Sequence, residues 1–94
     1  MVPQELKDDI IPILKRHGVT RASVFGSFAD GSQRADSDLD LRIELPAGKS
    51  YFDLLDIEFE LEDALRRKVD LVTYRTRLHP IVQENIRKAQ VPLF

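Results

Sequence analysis

The 94-residue chain is 43% hydrophobic and 32% charged, the balance of a soluble globular domain and not of a disordered segment. It has no cysteine, which excludes a disulfide framework, a thiol nucleophile and a cysteine zinc site. Fourteen basic residues against sixteen acidic ones give a formal charge of −2, and the longest basic run is only Arg66-Arg67-Lys68, so binding nucleic acid mainly through its phosphates is disfavoured.

The length predicts one domain over residues 1–94. The N-terminus lacks a signal-peptide pattern and no apolar run reaches membrane-spanning length, so the cytoplasm is the expected location. The first periodic segment, residues 3–17, places Leu6, Ile10, Ile13 and Leu14 on one helical face, with Pro3 suited to a first turn and Gly18 to a stop. Residues 19–25 are β-branched and aromatic and read as a strand. A polar stretch over residues 26–37 follows, in which a short helix can start at Ser27. Residues 38–44 alternate polar and apolar at every position, the pattern of a strand with one face in a core. Ser50 can cap a long helix over residues 51–67. Residues 69–74 read as another strand, and a last helix over residues 80–89 turns Val82, Ile86 and Ala89 inward. The order predicts an α+β (mixed α/β) fold: a small mixed sheet of three or four strands with helices packed on it.

Along the long helix, Asp53, Asp56, Glu60, Asp63 and Arg67 fall at three- and four-residue spacing and predict a solvated stripe. Tyr51, Phe52, Leu54, Leu55, Ile57, Phe59, Leu61 and Leu65 cover far more than the arc of ~100° that one core contact needs. Glu58 and Glu62 interrupt that apolar region. A helix held between a sheet and another helix accounts for this pattern; so does a helix that meets a partner chain around Tyr51, Leu54 and Leu65.

The chemistry concentrates in Gly26-Ser27-Phe28-Ala29-Asp30-Gly31 and Ser37-Asp38-Leu39-Asp40-Leu41. Residues two apart on a strand project to the same face, so Asp38 and Asp40 stand side by side, opposite Leu39, Leu41 and Ile43. Unpaired carboxylates that close raise each other's pKa, and a divalent cation removes the penalty. Oxygen ligands without histidine or cysteine favour Mg²⁺ or Mn²⁺, which complete their shells with water and substrate phosphates. Gly26 permits a tight turn, and Ser27 at a helix start offers amides and a hydroxyl to an anion. Asp70 sits in an apolar run between Val69 and Leu71-Val72, where a lone carboxylate is costly without a partner. A strand beside Asp38 and Asp40 would make it the third member of a two-metal site for phosphoryl chemistry. A calcium loop starting at Asp36 fails, because Leu41 and Ala47 stand where that loop needs glycine and glutamate.

Gly26-Ser27, then residues 28–37, then Asp38-Leu39-Asp40 resembles the signature of the DNA polymerase beta nucleotidyltransferase superfamily. The Gly26-Ser27-Phe28-Ala29-Asp30-Gly31 form and the Arg67-Lys68-Val69-Asp70-Leu71-Val72 segment are similar to its minimal (MNT) branch, the antitoxins of HEPN/MNT toxin–antitoxin pairs. The resemblance covers nearly the whole chain. It implies a nucleotidyltransferase fold, ATP with Mg²⁺ as donor, and AMP transfer to a tyrosine of a HEPN partner. It also implies that Gly26 and Ser27 contact the triphosphate and that Asp38, Asp40 and Asp70 are the metal carboxylates. Members of this branch often carry arginine where this chain has Asp30. Arg34 and Arg42 are the available substitutes, and Arg42, which alternates onto the face of Asp38 and Asp40, is preferred. A relative that neutralises its toxin by binding alone is the alternative that Asp30 favours.

Overall fold

The computed structural model describes residues 2–34, 37–74 and 79–94. In chain order the elements are α1 (Gln4–Arg16), β1 (Arg21–Phe25), α2 (Ser27–Asp30), β2 (Leu39–Glu44), α3 (Tyr51–Leu65), β3 (Val69–Thr73), α4 (Pro80–Ala89) and β4 (Val91–Pro92). One mixed sheet has the order β3-β2-β1-β4, with β1 antiparallel to both β2 and β4 and β2 parallel to β3. The α3 crossover makes the parallel pair possible, because parallel strands cannot be joined by a tight turn. The expected fold class therefore holds, and its fourth strand is the two-residue β4, too short to carry a periodic signal.

Alternation sends Ala22 and Val24 of β1, Leu39, Leu41 and Ile43 of β2, and Val69 and Leu71 of β3 to one side. There they pack against Ile10, Ile13 and Leu14 of α1, Ile57 and Leu61 of α3, and Phe28 of α2. The opposite face of the sheet carries the polar residues of the same strands.

The long helix departs from expectation in an informative way. It is not enclosed: Ile57 and Leu61 are buried, Leu54 and Leu65 pack partly against the core, and Tyr51, Phe52 and Phe59 are exposed. Nor is its polar stripe uniformly solvated. Glu60 pairs with Arg16 of α1 and with His17 just past its end, Asp53 accepts from the Ser50 amide at 2.7 Å, and Arg67, two residues beyond the end of α3 at Leu65, donates to the Ser37 carbonyl at 3.1 Å. Glu58 and Glu62 accept the outward amides of Leu71 (3.3 Å) and Val69 (3.1 Å), so they clamp α3 along the free edge of β3. Among the described residues no helix is long and apolar enough to cross a membrane.

Candidate active site

Because Leu39, Leu41 and Ile43 fill the core, Asp40 must project from the other face of β2. The parallel register makes Asp40 and Asp70 Cα partners, so their carboxyls stand beside each other on that face. Asp38 lies one residue ahead of β2, and Lys68 one residue ahead of β3, with the Leu39 amide donating to the Lys68 carbonyl at 2.9 Å. Partial burial pushes the Asp40 carboxyl up to about 6; the charge of Asp70, a hydrogen bond with its carboxyl, and the charge of Asp38 push in the same direction, against the Lys68 ammonium.

Residue 26 completes the arrangement. Gly26 has φ 71° and ψ −148°, a conformation essentially confined to glycine. A Cβ built there would overlap the Asp40 carboxylate and lie 3.2 Å from its Cγ. Ser27 then opens α2, whose first amides have no intrahelical acceptor. Phe28 anchors this turn in the core; the Arg67 guanidinium lies 5.0 Å from the Phe28 ring centre and holds the Ser37 carbonyl just ahead of Asp38.

A cleft of about 490 Å³ runs along this face. Phe25, Gly26, Ser27, Asp30 and Asp40 form one side, and Val82, Ile86 and Ala89 of α4 the other. Such a volume and mixture suit a small ligand with an apolar and a charged part. A second hollow of about 430 Å³, between Leu45, Lys49, Tyr51, Leu54 and Tyr74, contains none of the three aspartates and is not the reactive centre.

The donor set fits a hard divalent cation. The Asp70 charge opposes ionisation of Asp40, a cost that such a cation relieves. Among the described residues no three acidic, imidazole or thiol groups close into a cage. Magnesium bound by few carboxylates completes its shell with water and substrate phosphates.

Of the residues singled out from sequence, Gly26, Ser27 and Asp40 meet in the cleft, Asp70 pairs with Asp40, and Asp38 acts on Asp40 through its charge. Arg42 is not among the residues that line the cleft. It shares the face of Asp40, but its guanidinium stacks over the Tyr74 ring at 4.6 Å and donates to the Tyr74 carbonyl at 3.4 Å. Tyr74 is fixed in turn by Arg21 at 4.4 Å and by the Ser23 hydroxyl at 2.7 Å. Alternation chose the face for Arg42 but not the direction along it. Asp30 lines the cleft with its carboxylate turned to the amide (2.9 Å) and hydroxyl (2.6 Å) of Ser32, bonds that hold its pKa below the usual value. Sequence reading missed Lys68, although its spacing of two from Asp70 puts it on the carboxylate face. It also took Val82, Ile86 and Ala89 for plain core, when they form a wall of the cleft.

A sheet that sets two carboxylates in register, against a Gly-Ser turn with no room for a side chain, defines a nucleotidyltransferase domain. The family model described as polymerase beta, nucleotidyltransferase, matches residues 8–94, and the chain belongs to that family. A candidate protein adenylyltransferase of Methanocaldococcus jannaschii, MJ0435, is 46% identical over 82 residues, which cover 87% of this chain and 87% of that protein. The solved structure of a candidate minimal nucleotidyltransferase superposes with a TM-score of 0.78 at 34% identity, over 95% of this chain and 90% of that one. A chain in the complex of tri-AMPylated Shewanella oneidensis HEPN toxin with MNT antitoxin gives a TM-score of 0.74 at 19% identity, over 97% of this chain and 71% of that one, a likeness of fold.

Proposed function

We propose that this chain transfers AMP from ATP to a hydroxyl, a tyrosine's by preference, on a HEPN toxin and thereby acts as its antitoxin. The observation that carries the reading is the in-register pairing of Asp40 with Asp70 beside Gly26. The adenylyltransferase relative supports AMP as the transferred group, and the HEPN–MNT complex supports the acceptor. ATP as donor assigns the activity to the cytoplasm.

Asp38, Asp40 and Asp70 would hold Mg²⁺, which when bound neutralises phosphate charge at the reacting centre. The residues of the chain do the rest. The bare backbone of Gly26 lets the triphosphate approach, and the Ser27 hydroxyl and amide bind it. Phe25, Val82 and Ile86 give the adenine an apolar wall. The acceptor oxygen attacks the α-phosphorus, the bond to pyrophosphate breaks, and the hydroxyl proton passes to a carboxylate oxygen of Asp70. Asp30 was the feature that favoured a binding-only antitoxin; its engagement with Ser32 weakens that alternative.

The test is incubation of the chain and its HEPN partner with α-labelled ATP and Mg²⁺, followed by mass spectrometry of the partner. Gain of AMP mass with wild type and none with Asp38→Asn is the expected result. Toxin neutralised equally by both, with no mass change, would establish the binding-only mechanism instead.

A further inference from the structure

α3 keeps an apolar strip in solvent that neither the core nor the cleft uses. Tyr51, Phe52 and Phe59 are 68%, 75% and 63% exposed, although aromatic side chains gain most from burial. Phe52 and Phe59 lie two helical turns apart and therefore one above the other, with half-buried Leu55 between them. A buried aromatic covers about 150–250 Å², so at these exposures the three present roughly 300–500 Å², a patch size that is often functional. A standard interface takes ~800 Å² from each partner; the strip supplies about half, and Leu55, Asp56 and Asp63 extend it.

Its position ties it to the reaction. Around α3, Glu60 faces α1, Ile57 and Leu61 face the core, Glu58 and Glu62 face the β3 edge, and the strip follows next. The two amides held by Glu58 and Glu62 belong to the residues on either side of Asp70. A body seated on the strip therefore stands at the Asp70 edge of the sheet, away from the wall that α4 makes.

Charge selects the occupant. Asp56 and Asp63 run along the outer flank, exposed and without an ion pair among the described residues. A second copy packed antiparallel through Phe52 and Phe59 would set Asp56 against Asp56 of the other copy, a like-charge contact that disfavours it. Basic side chains on the visitor would pair with the flank.

We infer that the Phe52–Phe59 strip docks the acceptor protein, which meets it with an apolar strip flanked by arginine or lysine. This rests on the acceptor being a protein, as proposed above, and it identifies the surface that brings the hydroxyl to Asp70. The probe is a HEPN toxin, sought first in the adjacent reading frame and titrated onto the full chain by calorimetry. Phe52→Ser with Phe59→Ser should weaken binding about 30-fold or more, the loss typical of interface anchors. Melting temperature and AMP-PNP affinity should stay unchanged, since both residues are exposed and remote from the cleft. Asp56→Lys with Asp63→Lys should weaken it about 10-fold at low salt, less at high salt. No binding by wild type, binding within about twofold of wild type in either variant pair, or a strip-dependent homodimer that the HEPN protein does not displace would overturn the inference. Strip-dependent binding without AMP transfer keeps the docking surface and removes the enzymatic reading; transfer that persists in the serine pair does the reverse.

Discussion

The Asp40 carboxylate occupies the volume that a Cβ on residue 26 would fill. The β1–β2 register sets Phe25 opposite Asp40, so the next residue of the chain turns directly across that side chain. One steric relationship thus couples the Gly26-Ser27 turn, proposed to bind phosphate, to Asp40, a proposed metal carboxylate. It also explains why the turn needs glycine twice over, for its positive φ and for the missing side chain.

Gly26→Ala should therefore lose both function and stability. Non-glycine residues forced into such backbone regions cost about 1–3 kcal/mol, and the overlap with Asp40 adds to that. Urea denaturation should show the loss, and AMP transfer should fall below detection. Asp40→Ala in the same chain removes the overlapping carboxylate, so a double-mutant cycle should return about 1 kcal/mol of coupling. Wild-type stability in Gly26→Ala would disprove the steric relationship.

Asp40 also makes stability depend on pH, with a definite sign. Its folded pKa of about 6 lies above the ordinary aspartate value of 3.8, so the folded state holds the proton more tightly. The corresponding stability is complete below about 3.8 and is lost as pH rises through about 6. Partial burial is the main cause, the Asp70 and Asp38 carboxylates add to it, and Lys68 opposes it. Solvent screens a half-buried group, so the change is on the order of 1 kcal/mol. Asp40→Asn should abolish transfer, raise stability near neutral pH by about that amount in chelator, and flatten the profile between pH 4 and about 6. Mg²⁺ should stabilise wild type and leave Asp40→Asn nearly unaffected. A variant that transfers AMP like wild type would remove Asp40 from the site.

The parts of this site that were legible in the sequence are those set by strand alternation and by glycine. Leu39, Leu41 and Ile43 fixed the face of Asp40, and the apolar run around Asp70 made its strand a fit neighbour for β2. What escaped depends on side-chain direction or on distant packing. Arg42 was on the right face, but its long side chain follows the Tyr74 ring, a partner from another strand that periodicity does not reveal. Glu58 and Glu62 looked like interruptions of an apolar surface because their partners are backbone amides of β3, which no residue type announces. The last helix was placed correctly, but its role as a cleft wall depends on where the sheet lies beneath it.

Asp30 separates charge from geometry. Its carboxylate closes the turn through Ser32 while lying on the cleft that would take the triphosphate. Asp30→Asn keeps an acceptor oxygen for Ser32 and removes the charge, so ATP should bind more tightly, by a small amount because the group is exposed and screened. Asp30→Ala removes both and should bind ATP no better than Asp30→Asn, with a lower melting temperature. Equal ATP affinity in wild type and Asp30→Asn would show that the carboxylate does not act on the donor.

The clamp of Glu58 and Glu62 protects the free edge of β3. β3 is an edge strand, and free edge amides invite pairing with other chains. One turn and a little more along a helix, four residues, advances about 6 Å, while two residues of a strand advance about 6.6 Å. Glu58 and Glu62 therefore match the outward amides of Leu71 and Val69 almost in step. Val69 is fully buried, so its amide has little access to replacement water. Glu62→Ala should cost about 1–3 kcal/mol, the price of an unsatisfied buried donor. Glu62→Gln keeps an acceptor and should cost less. Hydrogen exchange gives the local readout: the Val69 amide should lose protection in Glu62→Ala while Leu71 keeps it, and the pattern should invert in Glu58→Ala. The double alanine variant should also raise light scattering at high protein concentration as the bared edge finds partners. Unchanged protection at Val69 in Glu62→Ala would show that the carboxylate is not its acceptor in solution.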